Sequence, residues 1–529
     1  MQQFIAKFRE QIEGSLSGFD RLVVSGTLRR LSHADGMNTY LCMNHIPLKD
    51  FGTHAEQTTQ KLKQAALKRV DALGRPTRHL ASSRTNKEEV ARQIAAEDGI
   101  TSGLICALTC VEPCSTFRTE YNPQSNHLEL RRKPRQCLFI YQYGIHPEFG
   151  FYNARIQTWF PFPIQICLNG REWASRQMER EGLKYRKVGN CFTWVEDYQR
   201  AQELMEAQAR YDWLPALEAI AAELHPIQPE VFGNYQAAYY WGCHQSEWAS
   251  DLIFRDGQQL QRLYPLLVRY AMTTFGAGDV MKFLSKPVTR EGQPRKDFRG
   301  ELDSDLRTRT EGARIKHRIN GNSIKLYDKG YDGERAALRA ELTMNYPGEF
   351  RTYRPKEGGP EDEKEWLPLR KCIADMGRRA EVCQKANDRY LDALAQVDAT
   401  PTVAELTQAI QRPTQWKGRR VRALRPFQDD DASFLEAVNR GEFVISGFRN
   451  RDLRKLLYPQ PAGCKREEAR RSASISRKLR LLRAHHLIHK VPRTHRYQLN
   501  PDLRVVITTV LTARQASLNL FNRMLAQAA

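Results

Sequence analysis

The last hundred residues carry the feature that most limits the fold, an ordered series of short amphipathic elements. Helices are predicted at Phe434–Val438, Asp452–Leu457 and about Lys465–Ala484, an extended stretch at Gly441–Gly447, strands at Leu487–Val491 and Arg496–Leu499, and a final helix over Val505–Leu525. In the third helix, Ile475, Leu479 and Leu482 recur at the i, i+4, i+7 spacing of one helix face. Elements this short bury apolar surface only by packing together, so the segment predicts one compact unit.

The exposed side of this unit is predicted to be basic. Residues 465–496 contain 11 Lys and Arg but only two acids, Glu467 and Glu468. Clusters of this kind neutralise nucleic-acid phosphates. The element order, with the run Leu481–Lys490 at its centre, resembles the winged-helix fold of MarR-like and related DNA-binding domains. The resemblance covers about 100 of the 529 residues, and implies that the long helix enters the major groove while the hairpin touches the backbone or minor groove.

The residues expected to contact double-stranded DNA lie on the helix face opposite the core and on the hairpin. They are Arg470, Arg471, Ser474, Arg477, Lys478, Arg493, His495 and Arg496. Two alternatives remain open: a solvated basic helix, or a winged helix that contacts another protein.

The whole chain has the same charge surplus. Its 82 Lys and Arg exceed its 61 Asp and Glu and give a formal net charge of +21, which indicates a polyanionic partner such as nucleic acid. No run of about 18 apolar residues is present to span a bilayer. We therefore predict no membrane association and expect the protein in the cytoplasm or nucleoid.

Changes of periodicity and Pro/Gly breaks predict an α+β multidomain protein with mixed and antiparallel sheets. The predicted parts are an N-terminal α/β segment (1–100), a strand-rich α+β domain (101–228), a central α+β domain with a basic antiparallel sheet (229–360), a long connecting helix (361–400), a linker (401–426) and the C-terminal winged helix (427–529). A chain of 529 residues is long enough for several such domains.

The central sheet is predicted from strict alternation. Arg314–Ile319 alternates basic and apolar residues, the turn pair Asn320-Gly321 follows, and Ser323–Lys329 and Ala337–Met344 continue the pattern. Arg339, Glu341 and Thr343 are expected to point outward from the last strand. The cations predicted on this open face, where they would bind phosphates, are Arg314, Lys316, Arg318 and Lys325.

The runs Asn322–Lys329 and Leu338–Leu342 resemble the paired strands of plasmid and filamentous-phage rolling-circle replication initiators. The resemblance spans some 25 residues and implies nicking of DNA by a tyrosine and a metal ion. The family's His-hydrophobic-His ligand pair is absent from the chain, so carboxylates would have to hold the metal. Under this hypothesis the ligands of Mg²⁺ or Mn²⁺ would be Asp328 and Glu341, and the nucleophile would be Tyr327, Tyr239 or Tyr240.

A simpler alternative for the same residues is an ion pair between Glu341 and a cation on the next strand. In that case the basic face binds phosphate without cutting it, and no metal cofactor is needed.

A third set of residues indicates single-stranded nucleic acid. Between residues 131 and 162, basic side chains precede a series of aromatic ones, and exposed rings stack on unpaired bases. The rings are Phe139, Tyr141, Tyr143, Phe149, Phe151, Tyr152, Trp159, Phe160 and Phe162. Aromatic strands also form sheet cores, and this alternative stays open.

Together these features predict a double-stranded DNA-binding protein of bacterial mobile-element or replicon type, with metal-dependent strand nicking or recombination in its central domain. A non-catalytic winged-helix transcription regulator is the first alternative, and its N-terminal parts would sense a ligand or form a homodimer. An RNA-binding protein that uses the aromatic strands is the second.

Overall fold

The computed structural model describes residues 1–290, 292–309, 312–356, 358–360, 362–397, 407–408, 410–440, 442–443 and 447–515. The chain divides into two compact units, Met1–Val397 and Asp398–Ala529. The first is built on one large sheet and the second on short helices with small hairpins. The α+β class predicted from the sequence is confirmed.

The first unit alternates helices and strands along its whole length. Its helices are α1 (Gln2–Lys7), α2 (Ala34–Met43), α3 (Phe51–Ala72), α4 (Lys87–Glu97), α5 (Gly170–Arg180), α6 (Tyr198–Ala207), α7 (Leu214–Leu224), α8 (Gln228–Phe232), α9 (Gly257–Thr274), α10 (Ala277–Phe283) and α11 (Met376–Leu394). Its strands are β1 (Ile12–Leu28), β2 (Thr77–Leu80), β3 (Gly103–Asn122), β4 (His127–His146), β5 (Gly150–Gln157), β6 (Ile164–Asn169), β7 (Tyr185–Val188), β8 (Cys191–Val195), β9 (Tyr239–Phe254), β10 (Leu302–Arg309), β11 (Gly312–Ile319), β12 (Asn322–Lys329), β13 (Ala336–Met344), β14 (Arg351–Pro355) and β15 (Lys364–Pro368). Short 3₁₀ turns lie at Arg29–Ser32, Leu48–Asp50, Gln208–Arg210, Pro347–Glu349 and Ile373–Asp375.

Eleven strands form a single sheet in the order β10-β11-β12-β13-β9-β1-β6-β5-β4-β3-β2. Neighbours are antiparallel except β2 and β3, which are parallel. The long strands β1 and β9 pair from Ile12 opposite Phe254 to Leu28 opposite Tyr239 and join the two halves of the sheet. Register shifts in this pair, one of them between Phe19 and Arg21, change the direction of side chains locally.

Both faces of the central strands are covered. On one face, Gln384 of α11 accepts a hydrogen bond from Trp248 Nε1 at 2.9 Å, and Asn387 donates to Ser250 Oγ at 3.1 Å. On the other face, Arg171 of α5 donates to the Ala249 carbonyl at 3.1 Å. There the turn between β7 and β8 places Asn190 against Asp20, with Nδ2 to Oδ1 at 2.6 Å.

This covering corrects the expectation of an open basic face at the third strand. Every residue of β13 is buried, including Arg339 at 0% and Glu341 at 3% exposure, and Lys325 on β12 is also buried. The alternation predicted for β11 is correct, since Ile315, His317 and Ile319 are buried and the basic residues between them are half-exposed. The charged residues of β13 were expected to be exposed. Alternation predicts only the face of the sheet on which a side chain lies, and not whether another element covers that face.

The boundaries drawn after residues 100, 228 and 360 lie inside the first unit. The reason is the pairing of β1 with both β6 and β9, which ties the start of the chain to strands of two predicted domains. The long helix expected at 361–400 is α11, preceded by β15. Its Asn387 donates to the Trp248 and Ala340 carbonyls, both at 3.1 Å, so the helix is part of the sheet's cover.

The second unit contains β16 (Thr414–Trp416), β17 (Arg419–Val421), α12 (Asp429–Val438), α13 (Asn450–Leu457), α14 (Lys465–Ala484), β18 (Ile488–Lys490), β19 (Tyr497–Leu499) and α15 (Pro501–Gln515). Phe448 and Tyr497 exchange two backbone hydrogen bonds of 2.9 and 2.8 Å, which adds a third chain segment to the β18–β19 hairpin. Most of the extended stretch predicted at 441–447, and the last ten residues of the helix predicted at 505–525, lie outside the described residues.

The core of this unit includes part of the predicted linker. Ile410 and Leu424 are each 3% exposed and belong to the same apolar cluster as Phe434, Ile475 and Leu482. The predicted linker therefore contributes these two apolar side chains to the core, while the residues between them are exposed or half-exposed.

Candidate functional site

Three carboxylates from three neighbouring strands meet on the face of the sheet that α5 and the β7–β8 turn cover. They are Asp20 of β1, Glu247 of β9 and Glu341 of β13, and each offers an oxygen within 4.8 Å of the other two. The strand order β13-β9-β1 makes these strands adjacent. Glu247 stands opposite Thr343 on one side and Arg21 on the other, so it lies between the other two carboxylates.

The three acids belong to a larger group of buried charges. Lys325 Nζ donates to Glu341 Oε1 at 2.7 Å and lies 3.4 Å from Glu247 Oε1. Arg339 contacts Asp251 at 2.6 Å and Asp20 at 3.2 Å, and Arg171 contacts Asp251 at 3.0 Å. Two further cations act on this group: the charge of Arg21 acts on Glu247, and that of Lys329 acts on Asp20, Asp251 and Glu341. Each of the four carboxylates therefore has at least one cation nearby.

The pKa directions show how burial and these cations compete. Burial raises the pKa of Glu247, and the charge of Glu341 raises it further, against the opposing effect of Lys325. Burial likewise raises the pKa of Asp20, against the opposing effect of Arg339. For Glu341, burial opposes ionisation, but Lys325 and Arg339 outweigh it and the pKa is lowered. In Asp20 and Glu247 burial therefore outweighs the neighbouring cations, whereas in Glu341 it does not.

A cavity of about 460 Å³ is lined by two of these acids, Asp20 and Glu247, whereas Glu341 is not among its lining residues. Four carboxylates and two arginines are among its lining residues: Asp20, Glu88, Glu172, Glu247, Arg21 and Arg92. Thr343, opposite Glu247, is 5% exposed, and its hydroxyl has no hydrogen-bond partner among the described residues. Carboxylate oxygens beside a polar cavity are the ligand type that Mg²⁺ and Mn²⁺ prefer, and the arginines suit a phosphate group.

The metal pair predicted from the sequence is wrong in one member. Glu341 belongs to the cluster. Asp328 does not, because it is three residues along β12 from Lys325, which stands opposite Glu341, and this odd offset puts Asp328 on the other face of the sheet. Tyr327 does share the face of Glu341, and its hydroxyl lies 3.4 Å from Glu341 Oε1. Burial raises the pKa of Tyr327 to about 12, with a further contribution from Glu341.

The other two tyrosines lie elsewhere. The Tyr239 hydroxyl donates to the Phe162 carbonyl at 2.9 Å and lies 2.8 Å from His225 Nδ1, so it has a structural role. The guanidinium carbon of Arg29 lies 3.2 Å from the centroid of the Tyr240 ring, and Tyr240 lines a different cavity.

The basic residues predicted on the central sheet divide into paired and unpaired ones. Arg318 forms three hydrogen bonds with Asp303, and Lys325 is bound within the carboxylate cluster. Arg314 and Lys316 are half-buried, and no ion pair is found for either among the described residues. Only these last two fit the predicted phosphate-binding face.

Sequence analysis missed Asp20 and Glu247. Neither belongs to a recognisable motif: Asp20 interrupts an apolar strand, and Glu247 is one of several polar residues in Cys243–Ser250. An acid inside an apolar strand was the only available signal, since a buried carboxylate is costly unless it is paired or binds a metal.

The second unit presents the predicted DNA-binding residues on α14 and the β18–β19 hairpin. Arg470, Arg477, Arg493 and His495 are exposed, while Ser474 and Arg496 are half-exposed. Two others are held internally: Arg471 pairs with Glu467 at 2.6 Å, and Lys478 pairs with Asp430.

Two further arginines extend the exposed set. Arg466 and Arg480 are also exposed, and with Arg470 and Arg477 they fall within a sector of about 80° of the helix and span about 21 Å along it. No ion pair is found for any of the four among the described residues. We call these four the α14 arginine stripe; the i, i+4, i+11, i+14 spacing could have identified it in advance.

The aromatic strands do not offer rings to a ligand. Eight of the nine rings predicted for base stacking are buried; Phe151, the exception, is half-buried beneath Arg92, whose guanidinium carbon lies 3.9 Å from the ring centroid. The core alternative is therefore correct for this segment, because rings on a covered sheet bury more apolar surface than an exposed platform would.

Within the described ranges, the Asp20–Glu247–Glu341 group is the one cluster of His, Cys, Asp or Glu side chains with metal-ligand spacing. In the same ranges no helix is long and apolar enough to cross a membrane. Comparison with protein-family models, curated proteins and solved structures found no match to this chain.

Proposed function

We propose that this chain is a DNA-binding protein of mobile-element or replicon type that cleaves phosphodiester bonds with a divalent metal ion. The second unit binds double-stranded DNA, and the first unit holds Mg²⁺ or Mn²⁺ between Asp20, Glu247 and Glu341. One observation carries the proposal: three carboxylates from three strands converge within 4.8 Å of one another, and two of them line a polar cavity. A bound divalent cation would offset the repulsion between these carboxylates.

The residues suggest how the reaction would proceed. A metal ion held by Asp20, Glu247 and Glu341 would polarise a phosphoryl oxygen and lower the pKa of a bound water. Attack of the water oxygen on phosphorus would break one P–O ester bond, and the proton that the water loses would pass to the leaving alkoxide. Arg21 and Arg92, which line the cavity, are placed to bind the phosphate oxygens.

Water is a better candidate for the nucleophile than tyrosine. Tyr327 is half-buried, and its pKa of about 12 keeps its hydroxyl protonated at neutral pH. Attack by a tyrosine would also link the protein covalently to DNA. Attack by water would therefore differ from the reaction of the rolling-circle initiators, in which a tyrosine is the attacking group.

The DNA-binding part of the proposal rests on the second unit. Its helices α12, α13 and α14, the β18–β19 hairpin and α15 follow each other in the order that the winged-helix resemblance implies. In that arrangement α14 lies in the major groove and presents the arginine stripe. In the same arrangement Arg493, in the turn of the hairpin, would meet the phosphate backbone.

The test is a nicking assay on supercoiled plasmid with Mg²⁺ or Mn²⁺. The full chain should convert the plasmid to the open circular form, and EDTA should stop it. Glu247→Gln removes one ligand while it keeps the side-chain shape, and should lower the rate at least about 100-fold, as expected when a metal-dependent centre loses its ion.

Glu56→Gln is the matched control, because Glu56 is exposed on α3 and distant in sequence from the cluster. It should cut at the wild-type rate. Full activity of Glu247→Gln, or cutting that EDTA does not affect, would refute the metal centre.

A second candidate function is a non-catalytic winged-helix regulator. The observation that favours it is that Asp20 and Glu341 already have cationic partners, Arg339 and Lys325. In that case the protein binds the duplex, but neither Mg²⁺ nor Mn²⁺ at any concentration leads to open circular plasmid.

A further inference from the structure

A second cavity, of about 960 Å³, lies at the other end of the β1–β9 pair. Its lining differs from that of the carboxylate cavity. Arg29, His33, His244, Arg370 and Lys371 contribute to it, and none of the described residues that line it is acidic. We call it the basic cavity.

The positive charge of the basic cavity is only partly neutralised by the protein. Arg370 is paired with Asp375, with Nε and Oδ2 2.9 Å apart. By contrast, no ion pair with a carboxylate is found for Arg29 or Lys371 among the described residues. Burial lowers the pKa of His244, and the nearby charges of Lys371 and Arg379 lower it further, as expected where cations gather. A site of this kind attracts an anion.

The basic cavity and the carboxylate centre lie on the same face of the same strand pair. Arg21 stands opposite Glu247, and Thr27, which lines the basic cavity, stands opposite Tyr240. Arg21 and Thr27 are six residues apart on β1, and the register shift between Val23 and Val24 adds its extra residue to β9, so alternation along β1 keeps the two on one face. At the rise of a β-strand the Cα atoms of Arg21 and Thr27 are about 20 Å apart.

We propose that the basic cavity binds the phosphate backbone of a single nucleic-acid strand whose neighbouring segment reaches the carboxylate centre. The inference rests on the proposed function, because it names a substrate contact of the same enzyme. At about 3.4 Å per nucleotide, a strand crosses about 20 Å in about six nucleotides. The ring of Tyr240 in the lining favours an unpaired strand, whose bases are free to stack.

Tyr240 gives the cavity an aromatic wall. One side of its ring is occupied by the Arg29 guanidinium. Arginine and an aromatic ring stacked in this way are a common element of single-strand binding sites, where charge and stacking act together.

The experiment measures binding of a short fluorescent oligothymidylate to the full chain in EDTA. The chain also carries Arg470→Glu and Arg477→Glu, which remove the other proposed nucleic-acid contact. On this background, Arg29→Glu with Lys371→Glu should weaken binding at least about tenfold. The slope of log affinity against log salt should fall by about 1.4, as expected for two lost phosphate contacts with a single strand.

Lys68→Glu with Arg84→Glu is the matched control, since both residues are exposed and make the same change in net charge. The control should bind as the background does, and thermal unfolding checks that each variant is folded. An equal loss in both double variants, or none in the cavity variant, would overturn the inference.

Two further measurements locate the strand and separate the two proposals. Photocrosslinking with bromouracil in the oligonucleotide should label the peptide that contains Tyr240; labelling confined to other peptides would overturn the inference. Displacement of the oligonucleotide by inorganic triphosphate at an equal concentration would also overturn the inference, because the cavity would then be a site for a small anion. Glu247→Gln should bind the oligonucleotide normally and fail to nick plasmid, and if it nicks normally the proposed function fails while the cavity result stands.

Discussion

The carboxylate cluster of the first unit and the arginine stripe of the second are opposite solutions to placing charge in a protein. Asp20, Glu247 and Glu341 come from three distant parts of the chain, are mostly buried and are held by ion pairs. The stripe lies within 15 residues of one helix, is exposed, and has no ion pair among the described residues. The carboxylates of the cluster lose most of their contact with water in the folded protein, whereas the arginines of the stripe keep theirs.

The difference determines what each region can do. Buried charges interact strongly with one another and with a bound ion, because little water screens them. Exposed cations interact weakly with their neighbours and remain available for phosphates. A charge change should therefore affect stability in the cluster and DNA affinity in the stripe.

The largest expected effect is on stability. Glu341→Gln removes the main partner of buried Lys325 and should lower the free energy of unfolding by about 3–5 kcal/mol. Arg477→Gln on the stripe should change it by less than about 0.5 kcal/mol. Urea unfolding of both variants measures the contrast. Equal stability of the two would mean that the cluster is far more hydrated than its burial suggests.

The next effect is stabilisation by metal. At a Mg²⁺ or Mn²⁺ concentration near 100 times its Kd, the ion should raise the free energy of unfolding by about 2.7 kcal/mol. Glu247→Gln should lose this effect, and Glu56→Gln should keep it. Thermal unfolding with and without the ion gives the result. A stabilisation that survives in Glu247→Gln would place the ion elsewhere.

Base readout by the stripe comes third. Arg477→Ala should weaken binding to a preferred duplex by about 1–3 kcal/mol and a scrambled duplex by less, if its guanidinium contacts a guanine edge. Competition titrations with the two duplexes distinguish this from a phosphate contact. An equal loss for both duplexes would exclude base readout by Arg477.

A smaller effect is expected in the hairpin. Arg493→Ala should weaken all duplexes alike and reduce the slope of log affinity against log salt by about 0.9, as for one lost phosphate contact. Lys478→Ala serves as the comparison, because that amine already pairs with Asp430 and should leave the slope unchanged. A larger change of slope in Lys478→Ala than in Arg493→Ala would show that Lys478 leaves Asp430 and binds a DNA phosphate in the complex.

The smallest effect concerns pH in the metal-free protein. Because the folded pKa of Glu247 lies above its ordinary value of 4.5, the folded state holds this proton more tightly than the unfolded chain. Stability should therefore fall as pH rises from about 4.5 through the raised pKa. Glu247→Gln in EDTA should lack this part of the decline and unfold at a slightly higher temperature at pH 7. A steeper decline in the variant would reverse the assigned direction.

Local patterns were enough to predict much of the fold. The 3.6-residue period of Ile475, Leu479 and Leu482 placed α14 and left Arg477 exposed, and alternation gave the buried face of β11. The same alternation failed on β13, where charged residues are covered by α5 and the β7–β8 turn. Tyr327 and Glu341 were selected from sequence and do lie together, whereas Asp328 lies on the opposite face.

The sequence by itself determined which way side chains point within an element, because that depends only on the local backbone period. Only the tertiary structure decided which elements far apart in the chain are neighbours. The pairing of β1 with β9 and of β9 with β13 brings Asp20, Glu247 and Glu341 within 4.8 Å, and it sets the basic cavity on the same face. Such pairing depends on hydrogen bonds and burial between residues about 80 to 240 positions apart, so no local window of the chain contains it.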